Sequence, residues 1–232
     1  MKTKLLLSVA ALAIALPAAF AQDSKPAPQK KPAELGASAA GVAPAQGAEQ
    51  AVIAAEKPSY PLATCPVSGE KLGAGAVDRV FGGHLVRLCC KDCAAEVEKD
   101  PAASRQKVVA AVIQAQKASY PLTTCAVTAE ALGANAVDHV LGTRLVRLKD
   151  KDAVATFEKK PAEFMAKVDK ALIEAQLPKY AVAACPVTGE ALDKNAVNYL
   201  YGTKLVRLCC KGCIKKFEAA PEKFLAELAK TK

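Results

Sequence analysis

Cysteine thiolates are the side chains of this sequence best suited to bind a metal ion. Eight of the nine cysteines fall into two similar sets, which are Cys65, Cys89, Cys90, Cys93 and Cys185, Cys209, Cys210, Cys213. Sulfur is polarizable and binds soft or borderline metals, and zinc sites commonly take three or four thiolates. Cysteines three or four residues apart, as in each later cluster, can share one face of a helical turn. The two sets are therefore candidate metal sites.

The chain contains one unit three times, with a period of 60 residues that Tyr60, Tyr120 and Tyr180 mark. The tetrapeptide Leu-Val-Arg-Leu recurs unchanged at 85–88, 145–148 and 205–208. Because these features are present in all three units, we interpret them, including the arginine, as parts of the fold.

The middle unit has lost its cysteine cluster. It keeps Cys125 but reads Lys149-Asp150-Lys151-Asp152-Ala153 where the other units have the three later cysteines. Cysteines that were only small core residues would be replaced by apolar residues, and this charged run is the opposite. The turn of the middle unit also lacks the equivalents of Pro66 and Gly69, so we expect it to loosen. Since the middle unit keeps the features of the fold but not the cluster, we predict that the cysteines form the functional site.

A turn, a hairpin and a helix must bring each set together. The early cysteine lies in a tight turn, and two strands follow, Ala76–Phe81 and His84–Leu88, joined by a glycine turn. We predict a helix over Asp92–Lys99, and Pro101 then begins a second, longer helix. A hairpin brings its two ends together, and a helix N-terminus favours a thiolate.

These elements predict an α+β protein of three tandem small units, each with a cysteine turn, a β-hairpin and following helices, joined by longer helices. We place the first unit at 48–117, the second at 118–177 and the third at 178–232. The cysteine sets lie in the first and third units, and the second is a degenerate copy.

The N-terminus has the features of a secretory signal. Lys2 and Lys4 precede a short apolar run, and Ala19-Phe20-Ala21 fits a cleavage pattern. We predict a signal peptide over 1–21, a disordered linker rich in Ala, Pro and Lys over 22–47, and a periplasmic or secreted protein without stable membrane insertion.

Charge and composition argue against two classes of protein. The formal net charge of +9 falls by the two lysines of the signal to +7, and the basic residues are interspersed with acidic ones. With no tryptophan and no basic stripe, we expect no binding of nucleic acid. No catalytic triad, carboxylate pair or phosphate loop is recognisable, and we expect His84 and His139 to be surface residues. We therefore predict that the protein is not an enzyme.

Disulfides are the main alternative for cysteines in an exported protein. Cys65 could pair with Cys89 or Cys93, which would leave further thiols for redox chemistry. The cysteine count is odd, and Cys125 has no partner within its unit, so we interpret it as a passive thiol.

The first and third units resemble the YHS/TRASH family of small metal-binding domains, which are related to treble-clef zinc ribbons. The matching residues are Cys65, Cys89, Cys93, Val97, Pro101 in the first unit and Cys185, Cys209, Cys213, Phe217, Pro221 in the third. The resemblance implies metal binding, with metal sensing, trafficking or handling as the usual context. Ribbon relatives often have a second cysteine in the turn, where this chain has Ser68, Thr128 and Thr188. The fourth ligand would be Cys90 or Cys210, a water, or none.

The sequence thus predicts an exported, non-enzymatic metal-binding protein with about one zinc, Cu(I) or other soft metal ion in each intact unit. One alternative is a protein stapled by disulfides or active in thiol redox chemistry. The other is an interaction module in which structural zinc supports a fold that binds another envelope protein.

Overall fold

The structure is a computed structural model that describes residues 46–230, which form seven α-helices and three two-stranded antiparallel hairpins. The helices are α1 Gln46–Glu56, α2 Lys91–Lys99, α3 Pro101–Gln116, α4 Lys151–Lys159, α5 Pro161–Gln176, α6 Gly212–Ala219 and α7 Pro221–Lys230. The strands are β1 Val77–Phe81, β2 His84–Leu88, β3 Val137–Leu141, β4 Arg144–Leu148, β5 Val197–Tyr201 and β6 Lys204–Leu208. The predicted α+β class is confirmed. The predicted signal peptide and nearly all of the predicted linker lie outside the described residues.

The three hairpins have the same register, so that Val77 pairs with Leu88, Val137 with Leu148, and Val197 with Leu208. A glycine begins each hairpin turn with φ of +56° at Gly82, +62° at Gly142 and +64° at Gly202. Glycine adopts this left-handed conformation without the steric cost that a Cβ brings. The repeated glycine therefore explains why all three turns are equally tight.

Each unit buries one face of its hairpin under the short helix that follows. In the third unit, Val206 and Leu208 of β6 pack with Phe217 of α6, and all three side chains are buried. Val97 and Phe157 are the equivalents of Phe217 and are also buried. This helix is amphipathic and begins directly after the hairpin, so the hairpin core fixes where the helix N-terminus lies.

The long helices join consecutive units. Val108 and Val112 of α3 are 0% exposed and form one cluster with Leu145 of the second hairpin. The side-chain amide of Gln116, the last residue of α3, donates to the carbonyl of Thr143 at 2.8 Å and accepts from the amide of Leu145 at 2.9 Å. Each long helix therefore belongs to the core of two units.

The same contact recurs at the other junctions. Gln176 binds the carbonyl of Thr203 and the amide of Leu205, both at 2.9 Å. Before the first hairpin, Glu56 accepts from the amide of Leu85 at 2.8 Å. The described residues consequently form one compact unit rather than three separate bodies. Within the described residues, no helix is both long and apolar enough to cross a membrane.

The two histidines are less exposed than the sequence predicts. His84 is half-buried and its Nδ1 lies 3.4 Å from a carboxylate oxygen of Glu56. His139 is half-buried with its ring edge against Phe157, at a centroid distance of 5.3 Å. Each strand lies against a helix, α1 or α4, which accounts for this partial burial, and the His84 side chain remains 35% exposed at the surface.

Candidate metal centres

The turn after Tyr60 holds the first sulfur in a fixed place. The amide of Cys65 donates to the carbonyl of Glu70 at 2.7 Å, and the amide of Gly69 donates back to the carbonyl of Cys65 at 2.9 Å. Gly69 has φ of +79°, which closes the turn. Cys65 is only 2% exposed, so its sulfur points inward.

The hairpin and the next helix bring the later cysteines to this sulfur. Strand β2 ends at Leu88, Cys89 and Cys90 follow, and Cys93 lies in the first turn of α2. The sulfurs of Cys65, Cys89 and Cys93 all lie within 4.8 Å of one another. We call this set, with its equivalent in the third unit, the inner triad.

The third unit repeats the arrangement closely. Its inner triad is Cys185, Cys209 and Cys213, again within 4.8 Å. The distance between the two cluster sulfurs is 3.6 Å for Cys209 and Cys213, and 3.7 Å for Cys89 and Cys93. The repeated sequence around the two clusters therefore gives the same geometry in both units.

The sulfur spacing fits a metal ion. Zinc–thiolate bonds of about 2.3 Å in a tetrahedron place two sulfurs about 3.8 Å apart. The separations of 3.6 and 3.7 Å between the cluster sulfurs are close to this edge, and the early sulfur lies within 4.8 Å of both. Each inner triad could hold one ion, and sulfur donors suit zinc and softer metals.

Cys90 and Cys210, also predicted as ligands, lie beside the triads. The sulfur of Cys90 is 3.8 Å from that of Cys89 and 3.7 Å from that of Cys93, and the sulfur of Cys210 is 3.7 Å from that of Cys213. Neither belongs to the set that includes the early cysteine. Cys90 is half-buried and Cys210 is exposed. Their role as ligands thus stays a prediction.

The turn prepares the early thiol for ionisation. Burial of Cys65 raises its pKa, but the amides of Ser68, Cys89 and Val67 donate to the sulfur and outweigh burial, which lowers the pKa to about 6. Burial of Cys185 is outweighed in the same way, first by the amide of Cys209, and its pKa also falls to about 6. Hydrogen bonds from amides stabilise a thiolate more than a thiol.

The two cluster thiols of each inner triad respond in the opposite direction, whereas the pKa of Cys90 and Cys210 is lowered. Contact with Ser68 lowers the pKa of Cys89, but the Glu70 carboxylate and the neighbouring thiols outweigh it and raise the pKa to about 12. For Cys213, burial and then the sulfurs of Cys209 and Cys210 raise the pKa to about 12. The early thiol of each triad therefore loses its proton more readily than the two cluster thiols.

A hydroxyl group supports each triad, which the sequence analysis did not anticipate. The Ser68 hydroxyl lies 3.3 Å from the sulfur of Cys89, and the Thr188 hydroxyl lies 3.4 Å from the sulfur of Cys209. From the sequence, Ser68 and Thr188 are recognisable only as residues that replace the second turn cysteine of ribbon relatives. Their position three residues after the early cysteine, shared by both intact units, was the available signal. Such hydroxyls can orient a ligand and tune its basicity.

The middle unit fills the same place with an ion pair and a helix cap. Lys149, at the position of Cys89, forms an ion pair with Glu130, the equivalent of Glu70. Asp150, at the position of Cys90, accepts from the amide of Ala153 at 2.8 Å and caps α4. Ala153 is 3% exposed, so an apolar residue does replace Cys93, unlike the charged residues before it.

The turn of the middle unit has not loosened, and that expectation was wrong. The amide of Cys125 donates to the carbonyl of Glu130 at 2.7 Å, and the amide of Ala129 donates to the carbonyl of Cys125 at 2.9 Å. Ala129 adopts φ of +62° in place of the glycine of the other units. These backbone hydrogen bonds hold an alanine in a conformation that costs about 1–2 kcal/mol relative to the right-handed one. Cys125 is 1% exposed, so this thiol is fully buried rather than half-buried.

The recurring tyrosine and arginine serve the scaffold, as the sequence predicts. The amide of Arg87 donates to the Tyr60 hydroxyl at 3.2 Å, and its guanidinium donates to Asp78 at 2.7 Å. In the middle unit, Arg147 makes the same contacts at 3.1 and 2.8 Å with Tyr120 and Asp138. The network therefore persists in the unit that has no cluster.

All nine cysteines are free thiols. The separations of 3.6 to 3.8 Å between cluster sulfurs exceed the S–S bond length of about 2.05 Å. No family model matches the chain, and neither a curated protein nor a solved structure matches it. Two cysteine triads, one in the first unit and one in the third, could each hold a metal ion. The middle unit has the same fold but only one cysteine.

Proposed function

We propose that this protein is an exported, non-enzymatic metal-binding protein with one thiolate site in its first unit and one in its third. The observation that carries the proposal is the repeated inner triad, with cluster sulfurs 3.6 and 3.7 Å apart. A further support is the middle unit, where Lys149 brings a fixed positive charge to Glu130 once the cluster is absent. The scaffold does not need the cysteines, so their presence in two units serves binding.

Zinc is the metal that the geometry favours. The cluster separations are close to an edge of a zinc tetrahedron, and zinc commonly takes thiolate ligands in proteins. Cu(I) is the second candidate, because three thiolates alone can satisfy it. The resemblance to YHS/TRASH domains points to the same chemistry and to metal handling as its context.

Export and partners form part of the proposal on the sequence features alone. The signal-like segment over 1–21 would deliver the protein to the periplasm or the exterior. There the protein would meet metal ions and other envelope proteins. A structural zinc that only supports a binding surface for such a partner is the competing role, and a disulfide-stapled protein is the competing state.

The experiment is elemental analysis with a thiol count, on untagged protein purified without added metal. We expect about one metal per intact unit. Cys93→Ser and Cys213→Ser should each remove about one equivalent, whereas Cys125→Ser, the matched control, should remove none. Absence of metal together with few free thiols would support the disulfide state instead. Metal that exchanges only on unfolding would favour the structural role.

A further inference from the structure

The remaining cysteine of the first cluster completes a second set of three sulfurs, and in the third unit the sulfur of Cys210 lies 3.7 Å from that of Cys213. In the first unit, Cys89, Cys90 and Cys93 are separated by 3.8, 3.7 and 3.7 Å. We call this the outer triad. It shares Cys89 and Cys93 with the inner triad, and the two differ only in whether Cys90 or Cys65 is the third member. All three outer separations also match the tetrahedral edge of about 3.8 Å.

The two triads differ in their access to solvent. Cys65 and Cys185 are 2% and 1% exposed. Cys90 is half-buried and Cys210 is exposed. A metal carrier that approaches either site therefore has more access to the outer sulfur than to the early cysteine.

Helix capping alone does not explain a cysteine at this position. In the first unit Cys90 is the N-cap of α2 without a side-chain capping hydrogen bond, whereas in the third unit the N-cap is Lys211 and Cys210 lies one residue before it. Asp150 occupies the same position in the middle unit and caps α4 through the amide of Ala153. Since aspartate and serine are good N-caps, a cysteine here, and only in the two units with a triad, indicates a role for its sulfur.

We propose that Cys90 and Cys210 are exchange ligands, through which the metal passes between the inner triad and a carrier that holds it by thiolates. The inference rests on the proposed metal binding and deepens it, because it makes the metal a cargo rather than a permanent part of the fold. A structural zinc site would instead use this sulfur as a permanent fourth ligand, and the test below distinguishes the two roles.

The transfer proceeds by replacing one sulfur at a time. The Cys90 sulfur forms a bond to the carrier's metal, and its proton passes to the carrier thiolate that leaves. Cys89 and Cys93 then displace the remaining carrier thiolates, which take up the two protons that these cysteines release. Finally the bond to Cys65 forms as the bond to Cys90 breaks, and the proton of the Cys65 thiol passes to the released Cys90 sulfur. The charge on the metal does not change, and delivery to a carrier is the same sequence reversed.

The test compares wild-type protein with the double variant Cys90→Ser, Cys210→Ser, both as full chains loaded with zinc. Serine retains an N-cap, so the helices should form. Zinc transfer to an excess of a small dithiol is followed by rapid desalting and elemental analysis. We expect the double variant to bind as much zinc as wild type but to transfer it at least about tenfold more slowly, which is about 1.4 kcal/mol in the barrier. Cys125→Ser, which removes a buried thiol outside both sites, should transfer zinc at the wild-type rate.

The outcomes separate this inference from the proposed function. An unchanged or faster transfer rate in the double variant overturns the exchange role and leaves metal binding intact. Loss of zinc from the double variant shows that Cys90 and Cys210 are permanent ligands, which also overturns it. Wild-type protein that binds no zinc or Cu(I) overturns both. A Cys90→Asp, Cys210→Asp variant, which copies the cap of the middle unit, repeats the measurement if the serine variant does not fold.

Discussion

A metal site can be rebuilt in the middle unit by changing two side chains. That unit keeps Cys125 in the same turn, the same hairpin register and a helix that begins at the same place. Lys149→Cys and Ala153→Cys would place two sulfurs at the positions of Cys89 and Cys93. Because the backbone already has the form that the intact units use, we expect the double variant to bind one more metal ion than wild type.

The energetic cost of the change is small. Lys149 and Glu130 are 42% and 56% exposed, and an ion pair this exposed to solvent contributes little to stability. Ala153 is 3% exposed, so an added sulfur there costs about 1–3 kcal/mol if the core does not adjust. Metal at one hundred times its dissociation constant would return about 2.7 kcal/mol. The variant should therefore be less stable than wild type without metal and regain most or all of that loss with it.

Elemental analysis and thermal unfolding with and without zinc measure these quantities. Lys149→Ser with Ala153→Ser is the matched control, since it removes the ion pair without adding sulfur. Adding Cys125→Ser to the cysteine variant should abolish the new site. If the cysteine variant keeps the circular dichroism of wild type but binds no additional metal, then these sulfur positions are not sufficient, and the reasoning from the intact units is refuted.

Three further predictions concern the turn of the middle unit, the contacts that join consecutive units, and the pH dependence of metal affinity. Ala129→Gly should raise the free energy of unfolding by about 1 kcal/mol by relieving the left-handed alanine, and a loss of stability in denaturant titrations would contradict the turn geometry. Gln116→Ala should cost about 1–3 kcal/mol, because it leaves two groups of the next hairpin without their partner, whereas Gln106→Ala, an exposed residue of the same helix, should change little. The low pKa of Cys65 and the raised pKa of Cys93 mean that metal must displace protons from the cluster thiols. Metal affinity should thus increase with pH across the neutral range, and a pH-independent affinity in competition titrations would show that the thiols are not the ligands.

The sequence predicted the scaffold well because its signals are local. Alternating apolar residues and a turn glycine define each hairpin, and the helix predicted to start at Pro101 starts there. Comparison of the three units distinguished the cysteines from the residues that form the fold. Six of the eight predicted ligands meet in the two inner triads. These inferences needed only periodicity, turn residues and the comparison of the units.

Other features depend on contacts that sequence spacing does not reveal. The hydroxyl of Ser68 reaches Cys89 only because the hairpin folds the cluster back over the turn. Ala129 adopts a conformation that its own preference opposes, since hydrogen bonds on both sides of the turn impose it. The difference between Cys90 and Cys89 follows from the N-cap geometry of α2, which sets the direction of each side chain.

The central claim is that the inner triads bind a metal ion through sulfur. X-ray absorption spectroscopy of the metal in untagged, natively purified protein tests it most directly. The account predicts a first shell that contains three sulfur atoms at about 2.3 Å from zinc. A first shell made only of nitrogen and oxygen, or protein without a bound metal, would contradict the account.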